Sequence, residues 1–278
     1  MRALKYNDRD KQTIDLNCRE CKINNLFKSE YHSSIIYAKH IQESVLPKQD
    51  IFNSVFQKSF VLYQPRDVVS GDLYWFSIKN GKIIISMIDC TGHGVPGALL
   101  SMIANNLLNQ IINEKNLTCP SNILSELNRG LKRTFNHNTN GADTHDGMSI
   151  AVCSFDLSFK NMIFSGADMP VYILREDKVE KKRGDKYAIG KLSHGNHFLD
   201  NYFDLQPNDR VYLLSDGLFD QFGGPEDRKF MERRFTDLIR SHRNMEINEQ
   251  GTLINKIFLQ WKGKQRQTDD VTVIGIEV

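Results

Sequence analysis

Short apolar runs separated by small polar turns recur along the chain, and they predict several strands with a few longer helices. The run from Ile83 to Ile88 is typical of a buried strand, and it stops at Asp89. Pro96 lies where a helix would begin, since its fixed φ suits the first helical turn. Apolar residues then recur every four positions and predict one broad apolar helix face: Leu99, Ile103, Leu107 and Ile111, with Leu100, Leu108 and Ile112 beside them.

The dipeptide Asn80-Gly81 lies between two apolar runs, which is a strong signal for a β-hairpin with a type I′ turn. Asp72 and Asp89 are eight and nine residues from this turn. On two antiparallel strands closed by the turn, both carboxylates would lie at the same edge of one sheet. Like charges placed so close repel each other unless a cation lies between them.

The same patterns predict the other elements along the chain. Helices are expected over residues 25–46, 121–137, 226–242 and 247–262, and strands over residues 56–63, 148–155, 161–168, 171–174 and 211–214, with a last strand after Asp270. The charged stretch REDKVEKKRGDK predicts a hairpin tip with solvated charges. Residues 1–24 are polar and aperiodic, so we expect a poorly ordered segment there, and one main domain over residues 47–278.

The composition is that of an ordinary globular protein, because 40% of the 278 residues are apolar and can form a sizeable core. The 36 basic and 34 acidic residues nearly cancel, so the net charge of +2 favours no nucleic-acid or membrane-surface partner. No apolar run approaches the ~20 residues that span a bilayer, and the first residues lack the apolar region of a secretory signal. We therefore expect a cytoplasmic chain without a membrane segment.

The five cysteines are scattered, which argues against a disulfide framework. Cys18 and Cys21 form a C-x-x-C pair, the half of a zinc site, but no second Cys or His pair has suitable spacing. The chain also lacks GxxxxGK[ST], HExxH and GxSxG, the signatures of a nucleotide-binding loop, a zinc protease and a serine hydrolase.

Acidic residues stand at the ends of several predicted strands. Besides Asp72 and Asp89, Asp216 follows the strand over 211–214, and Asp269 and Asp270 precede the last strand. Carboxylate clusters without paired His or Cys select hard cations, Mg²⁺ or Mn²⁺, over zinc. Two such ions can activate a water and hold a phosphoryl group, so no side-chain nucleophile is required.

Four short segments, in this order along the chain, resemble the SpoIIE/RsbU branch of the metal-dependent PPM (type 2C) serine/threonine phosphatases. They are Val69-Ser70-Gly71-Asp72, Ile88-Asp89-Cys90-Thr91-Gly92-His93-Gly94, Ser215-Asp216-Gly217 and Thr268-Asp269-Asp270-Val271-Thr272. The resemblance covers residues 40 to 278. RGDKYAIG, DQFGGP and QTDDVTVIG are similar to one subgroup, the SiaA-like phosphatases of bacterial partner-switching signalling.

The resemblance implies an α+β fold, a central antiparallel β-sandwich flanked by α-helices on both faces. It implies that Asp89 bridges two Mn²⁺ or Mg²⁺ ions, with the backbone carbonyl of Cys90 as a further ligand. Asp72 would lie near the second ion, and Asp216 and Asp269 would complete the ligand set. These acids would act on phosphoserine or phosphothreonine through metal-bound water.

Three positions limit the transfer of residue roles. Asp168 stands where the wider family has an acid linked to a third ion, in the context Gly-Ala-Asp-Met-Pro. His93 lies too far along to match the general-acid histidine of eukaryotic members, so we interpret it as a turn residue. Arg66, six residues before Asp72, could bind the substrate phosphate with two hydrogen bonds, or be an exposed turn arginine.

The implied partner is a phosphorylated STAS-like or SiaC-like regulatory protein. The amphipathic helix over residues 25–46 either packs on its own domain or pairs with a second copy as a homodimer, and deletion of residues 1–46 with a mass measurement distinguishes the two. Two alternative functions stay open: a catalytically weak docking module of the same fold, and a metal-dependent hydrolase of small phosphoesters.

Overall fold

The structure, a computed structural model, describes residues 30–136, 146–191 and 197–278. It contains two units, Met1–Ser44 and Val45–Val278, which are described separately. The described part of the first unit is helical, and this helix, α1, covers residues 30–45. The predictions for residues 1–24, for Cys18 and Cys21 and for the start of the 25–46 helix lie outside the described residues.

The second unit contains two five-stranded antiparallel sheets, with strands numbered in chain order. The first sheet has the order β1 (Ser59–Gln64), β12 (Val271–Glu277), β9 (Arg210–Leu214), β6 (Val171–Arg175) and β7 (Lys178–Lys182). The second has the order β2 (Asp72–Lys79), β3 (Lys82–Cys90), β4 (Met148–Asp156), β5 (Asn161–Ala167) and β8 (Asn201–Asp204). A small hairpin joins β10 (Phe222–Gly223) to β11 (Arg228–Lys229).

Helices precede and interrupt the strands. They are α2 (Gln49–Val55), α3 (Gly94–Leu108), α4 (Pro120–Asn136), α5 (Gly217–Asp220), α6 (Glu232–Ser241) and α7 (Ile247–Lys262), and a π-helical turn, Asn109–Glu114, continues α3.

Three apolar layers explain why these elements assemble. Alternate residues of both sheets face each other, for example Ile85 and Met87 of β3 against Val211 and Ile274 of β9 and β12. The outer face of the second sheet packs on α3 and α4, and the outer face of the first sheet packs on α6 and α7. The fold expected from the sequence, an antiparallel sandwich with helices on both faces, is confirmed.

The hairpin at Asn80-Gly81 forms as predicted. Both residues have positive φ angles, 51° and 69°, which is the type I′ conformation that matches the twist of the flanking strands. Lys79 pairs with Lys82 beside the turn, and the ladder continues until Asp72 pairs directly with Asp89. The turn therefore sets the register that brings these two acids together.

The segment 94–114 is a helix of 21 residues with a mean hydropathy of 1.2, long and apolar enough to cross a membrane by those measures. In this fold its apolar side belongs to the core, because Leu100, Ala104, Leu108 and Ile112 are buried against the second sheet. It is the core helix predicted from Pro96 onward, and it begins two residues earlier, at Gly94.

Several predicted boundaries were wrong. Residues 49–55 form a helix that the apolar pattern did not indicate, and the strand expected over 56–63 is displaced to Ser59–Gln64. The helix expected over 226–242 begins only at Glu232. The residues before Glu232 include β11. After β11, the backbone N–H groups of Phe230 and Met231 donate hydrogen bonds to the carbonyls of Gln221 and Phe219, which follow β9. The charged stretch after residue 174 contains a full strand, β7.

Candidate metal centre

Acidic residues from both sheets meet at one end of the sandwich. In the second sheet Asp72 begins β2 and is paired with Asp89 near the end of β3. In the first sheet β9 ends just before Asp216, and its antiparallel neighbour β12 begins just after Asp269. Because antiparallel neighbours run in opposite directions, the end of β9 and the start of β12 lie at the same edge.

A cavity of about 220 Å³ lies at this edge. Its lining is mostly acidic and small, and comprises Asp89, Cys90, Thr91, Gly92, Met148, Ser149, Asp168, Ala188, Lys191, Asp216 and Asp269. The structure thus brings together five of the predicted positions: Asp89, Cys90, Asp168, Asp216 and Asp269. Asp72 is not among the lining residues, because it is buried beneath them with 2% of its surface exposed.

Burial and mutual repulsion disfavour the ionised forms of these acids. Loss of hydration is the main cause that raises the pKa of Asp72 and of Asp89, and the neighbouring carboxylates add to it. The pKa of Asp216 is raised for the same two reasons, with Asp269 as the nearest repelling charge. A bound cation would remove this repulsion.

The donor set fits a hard divalent cation. Four of the residues that line the cavity are aspartates, and carboxylate oxygens are ligands that Mg²⁺ and Mn²⁺ prefer. Within the described ranges, no three His, Cys, Asp or Glu side chains are already arranged to hold a metal ion.

Two glycines let the chain segments around Cys90 approach closely. A Cβ on Gly71 would lie 2.5 Å from the carbonyl oxygen of Gly92 and 3.3 Å from that of Cys90. A Cβ on Gly97 would lie 2.2 Å from the same Gly92 oxygen. Only glycine fits at these two places, so the segments that carry Asp72 and Asp89 are packed backbone against backbone.

Asp270 has a role that the sequence did not reveal. It is 2% exposed, and its two carboxylate oxygens accept the backbone N–H groups of Arg66 and Gly71 at 2.6 and 2.7 Å. Asp270 therefore fastens the loop before Asp72 to the start of β12. Its position beside Asp269 was visible in the sequence, but its partners are about 200 residues away.

Lys191 is the second residue that sequence reasoning missed. Among the lining side chains that the structure describes it is the basic one, and its positive charge opposes the rise that burial causes in the pKa of Asp168. Asp168 itself has a φ of 57°, and its backbone N–H donates to the carbonyl of Asp185. A lysine in a surface loop has no sequence signal that distinguishes it from a solvated charge.

Arg66 and His93 lie in the neighbouring loops. The guanidinium of Arg66 donates to the carbonyl oxygen of Thr268 at 3.0 Å, beside Asp269. His93 precedes α3, and its Nδ1 lies 2.7 Å from Asp67 Oδ2 on a partly exposed surface. His93 thus occupies a turn, as the sequence indicated.

Comparison with known proteins shows the family and the fold that this chain shares. Residues 79–278 match the family described as stage II sporulation protein E (SpoIIE). The SiaA-PP2C domain of Pseudomonas aeruginosa is 28% identical, with a TM-score of 0.81 over 90% of this chain and 98% of that one. A comparison with curated protein sequences found no match.

Two more distant structures show the fold alone. The RsbU and RsbW domains of Rv1364c from Mycobacterium tuberculosis are 18% identical, with a TM-score of 0.62 over 79% of this chain and 59% of that one. RsbX, whose structure was determined in complex with magnesium, is 13% identical, with a TM-score of 0.52 over 79% of this chain and 94% of that one.

Proposed function

The chain belongs to the SpoIIE family of PP2C-type phosphatase domains, and from this premise we propose that it is a metal-dependent protein serine/threonine phosphatase. The observation that carries the proposal is that Asp89 from one sheet and Asp216 and Asp269 from the other line a single cavity, with the buried Asp72 paired to Asp89. A domain that only docks has no use for buried acids that repel one another.

Two divalent ions, Mn²⁺ or Mg²⁺, would supply an activated water and neutralise the phosphoryl charge. In the proposed assignment Asp89 and the Cys90 carbonyl hold the ions from the second sheet, and Asp216 and Asp269 hold them from the first. Asp72, which is paired with Asp89 and buried, is proposed as a further ligand. The donor chemistry and the magnesium complex of RsbX support this choice of cation.

Two further residues receive proposed roles at the rim. Asp168, exposed at the cavity, is proposed as an additional ligand, in line with a third ion. Arg66 is proposed to bind the substrate phosphate, since its guanidinium already lies beside the 268–270 segment. An arginine can bind a phosphate with two parallel hydrogen bonds, which orients the phosphoryl group for attack.

The proposed substrate is a small phosphorylated regulatory protein, STAS-like or SiaC-like, within bacterial partner switching. The likeness to the SiaA-PP2C domain supports it. The open, polar cavity also supports it, because a small-molecule site is usually concave and mostly apolar. The pairing of α1 between two copies stays a prediction.

Phosphate release from a phosphoserine peptide and from a phosphorylated STAS-domain protein tests the function. The chain is first chelated and then assayed with and without Mn²⁺. Asp216→Asn removes a proposed ligand and is expected to lower release at least about 100-fold. Asp220→Asn is the matched control, because Asp220 lies four residues on and pairs with Lys229 outside the cavity.

The outcomes separate the three functions. Mn²⁺-dependent release that is lost in Asp216→Asn and kept in Asp220→Asn supports the phosphatase. Faster turnover of a nucleotide than of either phosphoprotein substrate would favour a small-phosphoester hydrolase. Tight binding of the phosphorylated STAS-domain protein without any release would favour the docking module and contradict the proposal.

A further inference from the structure

Ser215 lies between the two sheets, directly before Asp216. It is 1% exposed, and it continues the ladder between β9 and β12. Its backbone N–H donates to the carbonyl of Thr272 at 3.1 Å, and its Oγ accepts the N–H of Thr272 at 3.0 Å. The hydroxyl oxygen is therefore held in place by the first sheet.

The hydroxyl of Ser215 donates a hydrogen bond to the other sheet. Ser215 Oγ lies 2.6 Å from Asp72 Oδ2, although the two residues are 143 positions apart in the chain. The Thr272 amide already donates to this oxygen, so the hydroxyl proton is available for the carboxylate. At 2.6 Å this is a short hydrogen bond between two buried oxygens.

Asp72 needs such a donor. Its side chain is 2% exposed, and a buried carboxylate is costly unless hydrogen bonds or opposite charges compensate it. A hydrogen bond to one carboxylate oxygen also restricts the orientation of the carboxylate group. In metalloproteins, hydrogen bonds to the side chains that bind the metal orient those side chains.

We propose that Ser215 is a positioning residue that holds Asp72 in the orientation needed to bind a divalent cation, and so joins the ligands of the two sheets into one site. This inference rests on the proposed function. Ser215 would act through Asp72 and would not touch the substrate. The competing explanation is that the hydroxyl only fastens the two sheets together.

Metal titration of the chelated chain with Mn²⁺ alone, followed by calorimetry, tests the proposal without substrate. Ser215→Ala is expected to weaken the binding of one Mn²⁺ about 10- to 100-fold and to leave the other ion nearly unchanged. Ser165→Ala is the matched control. Ser165 is fully buried on β5, and its hydroxyl has no hydrogen-bond partner among the residues that the structure describes.

A second pair of variants covers the case in which Ser215→Ala does not fold. Ser215→Thr and Ser215→Val have nearly the same shape and differ in the hydroxyl. Thr is expected to bind the affected Mn²⁺ about tenfold or more tightly than Val. Equal affinities of Thr and Val would overturn the proposal.

The remaining outcomes are also decisive. If Ser215→Ala binds both ions like the parent but unfolds at a lower temperature in chelator, the hydroxyl only fastens the sheets and the proposal is wrong. If the parent chain binds no Mn²⁺ at all, the proposed function fails as well, and this result is distinct from the failure of Ser215 alone.

Discussion

At the scale of single residues, adjacent acids in this chain have opposite tasks. Asp269 lines the cavity, whereas Asp270 is buried and accepts two backbone N–H groups from the loop that precedes Asp72. Asp269 accepts one N–H, that of Asp270, through Oδ1 at 2.8 Å and still lines the cavity, whereas both carboxylate oxygens of Asp270 are occupied by backbone donors. Both residues lie just before β12, which begins at Val271, so the different partners of the two acids are set by the surrounding loops and not by strand alternation.

Substitution of the two acids should separate these tasks. Asp270→Asn places an amide N–H₂ against a backbone donor, so we expect the free energy of unfolding to fall by about 1–3 kcal/mol. Asp269→Asn should lose metal-dependent activity with little loss of stability, since the Asn Oδ1 can still accept the N–H of Asp270 and only the charge at the cavity is removed. Urea unfolding in chelator and phosphate release measure the two effects. Equal stability losses would contradict the assignment.

At the scale of elements, α3 is packed unusually close to the two loops of the site. Gly97 contacts the backbone of Gly92 and of Gly71, whose neighbours are the acids of β3 and β2. The first turn of α3 therefore sets the distance between the turn after Asp89 and the loop before Asp72. A helix that moved outward would open the site.

A pair of glycine substitutions tests this role of α3. In Gly97→Ala the new Cβ would lie 2.2 Å from a backbone oxygen, so the loops must shift. We expect the free energy of unfolding to fall by about 1–3 kcal/mol and Mn²⁺ to bind more weakly. In Gly130→Ala, also in a helix, the Cβ meets only the side chain of Leu107. That side chain can turn away, so Gly130→Ala should keep parental Mn²⁺ affinity. Similar affinities of the two variants would refute the prediction.

At the scale of the whole molecule, several acids whose ionised forms are unfavourable are clustered at one end of the sandwich. Burial raises the pKa of Asp72, Asp89 and Asp216 in the folded chain. The folded state then keeps protons that the unfolded state loses above about pH 4. Stability of the metal-free chain therefore falls as the pH rises from there through the raised pKa values.

The pH dependence of the melting temperature checks this balance. In chelator we expect the chain to melt at a lower temperature at about pH 8 than at about pH 5.5. Asp156 and Glu277, whose pKa values are lowered, have lost their protons in both states over this range and do not change the sign. Saturating Mn²⁺ should reduce or reverse the difference. A metal-free chain that becomes more stable toward pH 8 would contradict the expectation.

Local signals in the sequence determined a large part of this architecture. Asn80-Gly81 requires a turn with two positive φ angles, and that turn sets the register that pairs Asp72 with Asp89. Alternating and four-residue apolar patterns predicted most strands and α3, α4 and α7, because each pattern repeats with the period of its element. The helix prediction was wrong for residues 226–231, because contacts with the segment after β9 override their local preference for helix.

Only the tertiary structure decided how residues of the two sheets combine into one site. The hydrogen bond from Ser215 to Asp72 and the two bonds to Asp270 join positions 143 to about 200 residues apart, and the charge of Lys191 reaches the cavity from a loop. The local pattern of apolar residues does not indicate which distant residues become hydrogen-bond partners. The sequence by itself therefore determined which acids end each strand, and the packing of the sandwich decided which of them face the cavity and which hold the protein together.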